Sequence, residues 1–234
     1  MKKKLKILVT AGSTMVMIDQ VRAISNIFKG RTGAEIALSL AKDIFSQVTL
    51  IASNERSLLE NFDEVDHLMV SGRLKLIAYR TYDELLQIME QEIKTGSYDV
   101  VIHSAAVSDY QVSEVCIMED EKLVAIDRSK KVSSDNQDLY LRLVQTQKII
   151  DLIREPWGFK GYLVKFKLQV GISDEELIKI ALKSRQTSSA NMIVGNCLEW
   201  AKERAYVITD SSSENVKRSQ LPAMIHKKVM EELS

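Results

Sequence analysis

The chain has 234 residues, 45% of them apolar, which is enough for one substantial buried core and suits a single α/β domain over 1–234. Lysine plus arginine equals aspartate plus glutamate at 32 each, so no global field draws the protein to nucleic acid or to an acidic membrane surface, and any basic site has to be local. Cys116 and Cys197 are the only cysteines, which argues against a disulfide framework or a zinc site and fits two free thiols in a reducing cytoplasm.

The start, MKKKLKILVT, is basic and then apolar, but the apolar run is too short for a secretory signal and reads as the first strand. Leu5–Thr10 alternates too little for a half-exposed strand and suits one buried on both faces of a parallel sheet. Gly12-Ser13-Thr14 forms a small-residue turn at its end. Lys29-Gly30-Arg31-Thr32-Gly33 forms a second, directly ahead of the helical pattern Ala34, Ile36, Ala37, Leu40, Ala41, where free backbone amides attract anions. Between the turns, Asp19, Arg22 and Asn26 stand three and four apart, a spacing that predicts either polar groups gathered on one side of a helical turn or a solvated loop face.

Strands are predicted over 47–52 and 74–79, an amphipathic helix over Thr81–Lys94, and a buried strand over 99–103. That strand ends in Ser104-Ala105-Ala106-Val107-Ser108-Asp109-Tyr110, small residues at the sheet edge where ligands of such folds collect. From Tyr110 to Lys160 the alternation fails. Short runs (VCIM, LVAI, LYLRLV) surround the polar RSKKVSSDNQ and precede a helix-like QKIIDLIRE, which predicts an inserted β-arm over 110–160. Regular order returns with a strand over 161–168, a helix opened by a capping box of Ser173 and Glu176, and strands over 190–196 and 204–209. A surface turn at Asp210–Asn215 and a tail helix from Ser219, with Pro222 near its start, finish the chain. The repeated β-then-α order predicts a doubly wound, mostly parallel Rossmann-like sheet with helices on both faces. No stretch approaches the roughly 18 apolar residues of a membrane span.

Taken alone, several residues have ordinary explanations. Lys131 sits in a charged turn that reads as solvated, Phe166 suits core packing as well as a ligand wall, and His103, after an apolar strand, reads as a hydrogen-bonded structural histidine. A P-loop phosphotransferase is excluded by the lack of GxxxxGK[S/T]. A short-chain dehydrogenase would want Tyr-x-x-x-Lys and an acidic residue closing the second strand, where Ala52-Ser53-Asn54 stands instead. A non-catalytic nucleotide-binding scaffold remains the alternative from another class.

The combination TAGST, IDQVRAISN and KGRTG resembles the amino-terminal signature of phosphopantothenate–cysteine ligases, TAGxTxxxIDxVRxISNxSSGxxG, with Ile27, Phe28 and Lys29 in place of the family's small polar residues. Ser104–Tyr110 is similar to the family's AAAVADY segment, Lys131-Val132-Ser133-Ser134 to its KIKK or KISS, Phe166-Lys167-Leu168 to its FKLET, and the IVGN ending at Asn196 to its IVAN. The resemblance implies that 4′-phosphopantothenate is joined to cysteine through an acyl-nucleotide, with Mg²⁺ and a nucleoside triphosphate. CTP is favoured over ATP because the small bacterial members typically use it. It implies catalytic roles for Asn26, Lys131 and Arg22, nucleotide contacts from Gly12, Ser13, Thr14, Ser104, Ala105, Ala106, Asp109, Lys131 and Phe166, and phosphopantothenate contacts from Arg22, Asn26, Gly30, Thr32 and Gly33. It further implies a homodimer formed through the arm and a separate decarboxylase as a partner. Where many bacterial members carry helix lysines that reach the triphosphate, this chain has Ser184 and Ser188.

Overall fold

A computed structural model describes residues 4–53 and 62–233. The basic start at Met1–Lys3 and the residue Asn54 lie outside the described residues. Strand β1 (Leu5–Ala11) is the centre of the fold, with Ile7, Leu8 and Val9 fully buried, so both of its faces are covered. Two short strands, β2 (Met15–Met17) and β3 (Ala23–Ser25), follow as a hairpin before helix α1 (Arg31–Ala41). Next come β4 (Ser46–Ala52), α2 (Phe62–Val70), β5 (Leu74–Ala78), α3 (Tyr82–Thr95) and β6 (Val100–His103). The chain then leaves the main sheet through β7 (Tyr110–Glu119), β8 (Lys122–Ile126) and β9 (Tyr140–Gln145). It returns through α4 (Ile149–Leu152), β10 (Tyr162–Gln169), α5 (Asp174–Thr187), β11 (Met192–Cys197), β12 (Arg204–Ile208), β13 (Ser213–Lys217) and α6 (Leu221–Leu233).

The main sheet runs β13-β12-β11-β10-β6-β1-β4-β5, parallel from β11 to β5 and antiparallel at the β12–β13 hairpin. One face is covered by α1, α2 and α6 and the other by α3, α4 and α5, so the sheet is doubly wound and Rossmann-like, as the β-then-α order predicts. The arm β8-β7-β9 is a separate antiparallel sheet with its own small core of Val16, Val112, Val115 and Val132. Both cysteines are free and buried. Among the described residues no helix is long and apolar enough to cross a membrane.

Three local expectations are corrected. The segment carrying Asp19, Arg22 and Asn26 is no helical turn: Asp19 Oδ1 accepts the amides of Val21 and Arg22 at 2.8 and 2.7 Å, an aspartate turn that closes the β2–β3 hairpin. The polar run Asp210–Asn215 is only partly a turn, since Ser213 to Lys217 pairs with β12 and is anchored by buried Val216; the turn itself is closed by Thr209 N–H to Ser212 O at 2.9 Å. Helix α1 begins at Arg31, with Gly30 as its N-cap, so Gly33 stands inside the first turn and not ahead of it.

Candidate functional site

The order of strands reverses between β1 and β6, since β1 leads outward through β4 to β5 while β6, β10 and β11 build the opposite side. That is the switch point at which parallel sheets open a crevice beyond their carboxyl ends. The loops after β1 and β6 are stitched across it. Ala106 N–H donates to Gly12 O at 2.8 Å and Thr14 N–H to Ala106 O at 3.2 Å. Ser108 N–H donates to the buried Thr14 Oγ1 at 2.9 Å. Ser13 is held by Ser53 Oγ, which accepts its amide at 2.9 Å, and by Ser25 Oγ at 3.1 Å.

Gly30 and Gly12 meet back to back, with φ of +82° and +95°, and a Cβ on Gly30 would overlap the Gly12 backbone. Glycine at position 30 allows α1 to start directly against the end of β1, which brings the amides of its first turn to the crevice. Asn26 lies on the same rim, its Nδ2 donating to Ala106 O at 3.1 Å.

Asp19 and Arg22 stand one layer further out and tie the arm to the body. Arg22 donates through Nε and Nη2 to Asp19 Oδ2 at 2.9 and 2.5 Å, and through Nη2 to Val132 O at 2.9 Å; Val132 N–H returns to Asp19 Oδ2 at 3.1 Å. The Arg22 guanidinium, helped by the amides of Val21, Arg22 and Val132, holds the enclosed Asp19 carboxyl well below the usual carboxylate range against the opposing effect of burial. The early hairpin turn at Asp19 and Arg22 and the arm at Val132, directly after RSKK, therefore meet in one hydrogen-bonded knot.

Two adjoining cavities of about 290 and 390 Å³ occupy the crevice and share Phe28, Ala105, Ala106, Phe166, Lys167 and Leu168 as their common wall. The first is lined by Gly12, Gly30, Thr32, Gly33, Ser104 and Asn196, with Arg218 donating to Thr32 Oγ1 at 2.8 Å from its edge. The second is lined by Asn26, Asp109, His103, Lys148, Lys165 and Ser184. Of the residues picked from the sequence, Gly12, Gly30, Thr32, Gly33, Ser104, Ala105, Ala106, Phe166, Asn26 and Asp109 thus line one continuous cleft. Ser13, Thr14 and Arg22 support its walls instead, and Lys131 is exposed on the RSKK turn without lining either cavity.

His103 is structural. Its Nδ1 bonds Thr10 Oγ1 at 2.9 Å, and burial together with the Lys165 charge pushes it down to about 4, so it is neutral at pH 7. The sequence motifs do not single out Lys148 and Lys165. A lysine inside the otherwise buried run YLVKF of β10 is the available signal, because a charge at an inward strand position is rare unless something uses it.

Fold and cleft together define a doubly wound α/β protein with a polar crevice at the switch point of its sheet. The profile of the family described as DNA/pantothenate metabolism flavoprotein C-terminal domain matches residues 2–233, and the chain belongs to that family. It is 36% identical over 198 residues to the coenzyme A biosynthesis bifunctional protein CoaBC of Thermococcus kodakarensis, covering 83% of this chain and 41% of that one. It is 24% identical over 233 residues to phosphopantothenate–cysteine ligase 1 of Arabidopsis thaliana, covering 83% of this chain and 70% of the relative. Among solved structures, the DNA/pantothenate metabolism flavoprotein from Streptococcus pneumoniae superposes with a TM-score of 0.79 at 26% identity, covering 97% of this chain and 99% of that one. The chain thus spans about two fifths of the Thermococcus relative's length.

Proposed function

We propose that this chain is a phosphopantothenate–cysteine ligase of coenzyme A biosynthesis. The observation that carries the reading is the two-part cleft, in which an anion-attracting helix start, Asn26, Asp109 and a set of lysines open onto one space. The names of the Thermococcus and Arabidopsis relatives support it.

A carboxylate is a resonance-stabilised anion and does not react with an amine near pH 7. The acid is therefore first converted to an acyl-nucleotide, its carboxylate oxygen displacing pyrophosphate from the α-phosphorus; the cysteine amine then attacks the acyl carbon and expels the nucleotide monophosphate. Both transition states gather negative charge, which donors fixed in advance stabilise best. Asn26, with a donor and an acceptor on one amide, suits the acyl group, and Phe166 suits a flat base as a wall. Gly12, Ser104, Ala105 and Ala106, with the Gly30–Gly33 helix start, suit phosphate and sugar oxygens through their backbone amides. Ser13, Thr14 and Arg22 act as the frame that sets these groups.

CTP is the expected nucleotide, with ATP the alternative. Among the described residues no three histidine, cysteine, aspartate or glutamate side chains gather as a metal site. Asp109 is the one carboxylate among the described residues lining the cleft and is the side chain that would hold a Mg²⁺ there. Such an ion would supply charge neutralisation along the phosphate chain.

Lys131, which lines neither cavity of its own chain, is the proposed charge stabiliser at the α-phosphate, supplied to the cleft by a second copy. Within the 110–160 insertion only β7 to β9 (Tyr110–Gln145) form a separate arm, since Ile149, Leu152 and Ile153 pack in the main core, and that arm is proposed as the homodimer element within one ligase domain. Leu123, Met118 and Leu143 on the arm are 56%, 48% and 47% exposed, and Val21 and Ile27 beside it 67% and 78%, an apolar surface that suits a partner copy. The word bifunctional in the Thermococcus relative's name supports a further activity beside this one, and a decarboxylase acting on the product is the partner expected. A cytoplasmic location is the one expected, and the two free thiols support it. The test is pyrophosphate release: it is expected from CTP only when phosphopantothenate is present, and no release with either CTP or ATP removes the reading.

A further inference from the structure

Strand β10 sends one charged side chain into the layer between the sheet and α5. Lys165 is 8% exposed, in register beside His103, and its ammonium donates to Ser184 O and Ser188 Oγ, both at 3.1 Å. Both partners are neutral, and among the described residues no carboxylate bonds it. The carboxyl end of α5 offers some compensation through its dipole, but a buried ammonium without an anion is a costly arrangement. Burial indeed pushes Lys165 down to about 8, with Lys167 and Lys148 adding repulsion and Asp151 opposing them.

Geometry says what the arrangement is for. An ammonium has three N–H donors, and two are committed to the serine oxygens, which leaves the third for the 390 Å³ cavity that Lys165 lines. Lys148 and Lys167 line the same cavity, so three cations face one carboxylate, Asp109. Two serine oxygens fix the inner ammonium before any ligand arrives, which removes part of the ordering cost of binding.

We propose that Lys165, with Lys148 and Lys167, forms a phosphate-binding subsite in which Lys165 is the inner, preorganised cation. The phosphate comes from a substrate: the nucleotide's polyphosphate or the phosphomonoester of the acid. The identity of those ligands rests on the ligase reading; the presence of the subsite does not.

Calorimetric titration of the full chain tests it with four probes: inorganic tripolyphosphate, CTP, phosphopantothenate and unphosphorylated pantothenate. Lys165→Met keeps the volume and removes the charge, and is expected to weaken tripolyphosphate binding about tenfold or more, the scale of one lost charge-assisted hydrogen bond. Loss of CTP affinity with phosphopantothenate unchanged assigns the subsite to the polyphosphate; loss for phosphopantothenate, with pantothenate unchanged, assigns it to the phosphomonoester. Lys148→Gln, on an exposed side chain that cannot upset the core, is expected to weaken the same probe about threefold. Wild-type affinities for all four probes in both variants overturn the proposal, and tripolyphosphate tests the subsite even in a chain that makes no amide.

Discussion

Asn26 donates its amide nitrogen to Ala106 O while standing at the rim of the second cavity, where the proposed ligase function sets the acyl group. In Asn26→Asp a carboxylate oxygen faces that carbonyl and an anionic substrate. Amide formation is expected to slow about a hundredfold while pyrophosphate release falls less than about threefold, because the lost donor serves the second step. Quench-flow that finds both steps equally impaired contradicts the role. His103 makes a different prediction. Its neutral form is favoured by folding, with the value lowered from 6.5 to about 4, so the unfolded chain takes up the proton first and stability falls as pH falls between those limits. Urea unfolding at pH 5 and pH 7 is expected to differ by about 2 kcal/mol more in the wild type than in His103→Gln. Equal pH slopes would place His103 in a more solvated setting than its contacts indicate.

At the scale of elements, the meeting of Gly12 and Gly30 decides where α1 begins. Gly30→Ala adds a left-handed alanine and a clash with the Gly12 backbone, with an expected loss of at least about 2 kcal/mol in chemical denaturation and weaker nucleotide binding. A change below about 0.5 kcal/mol would show that the two turns are not locked together. The main strands were legible because β1, β4, β6 and β10 are near-continuous apolar runs, a local signal with a local cause. The β2–β3 hairpin was not, because its strands are only three residues long and its turn rests on the Asp19 carboxyl, which leaves no periodicity to read. Strand β13 was hidden for a related reason: its Ser-Glu-Asn start is a polar edge, and only Val216 carries burial. Thr81 and Glu84 form a complete capping box on α3, and at α5 Ser173 Oγ accepts the Glu176 amide at 3.2 Å. Both helix starts are set within four residues, which is why their positions were readable.

For the whole molecule, the cleft residues were legible as motifs, but their division into lining and supporting groups was not, since it depends on how the arm folds back. Arg22 shows this: its planar fork, which suits a carboxylate or a phosphate, is occupied by Asp19 and the Val132 carbonyl. Lys131, next to Val132, is exposed and lines neither cavity, so the role proposed for it rests on a second copy. Mixing inactive Asn26→Ala and Lys131→Ala chains is expected to restore about a quarter of wild-type activity, because half of randomly assorted dimers then hold one intact site. A mixture that stays inactive, or sedimentation of the wild type as a monomer at micromolar concentration, confines each site to one chain and removes that role for Lys131.

The most direct measurement incubates the purified chain with phosphopantothenate, cysteine and Mg²⁺ against a panel of nucleoside triphosphates and weighs the products. The account predicts the cysteine amide of phosphopantothenate together with one equivalent each of pyrophosphate and nucleotide monophosphate, CTP leading the panel. A panel that yields neither the amide nor pyrophosphate, from a chain that still binds CTP, would leave a nucleotide-binding scaffold and contradict the account.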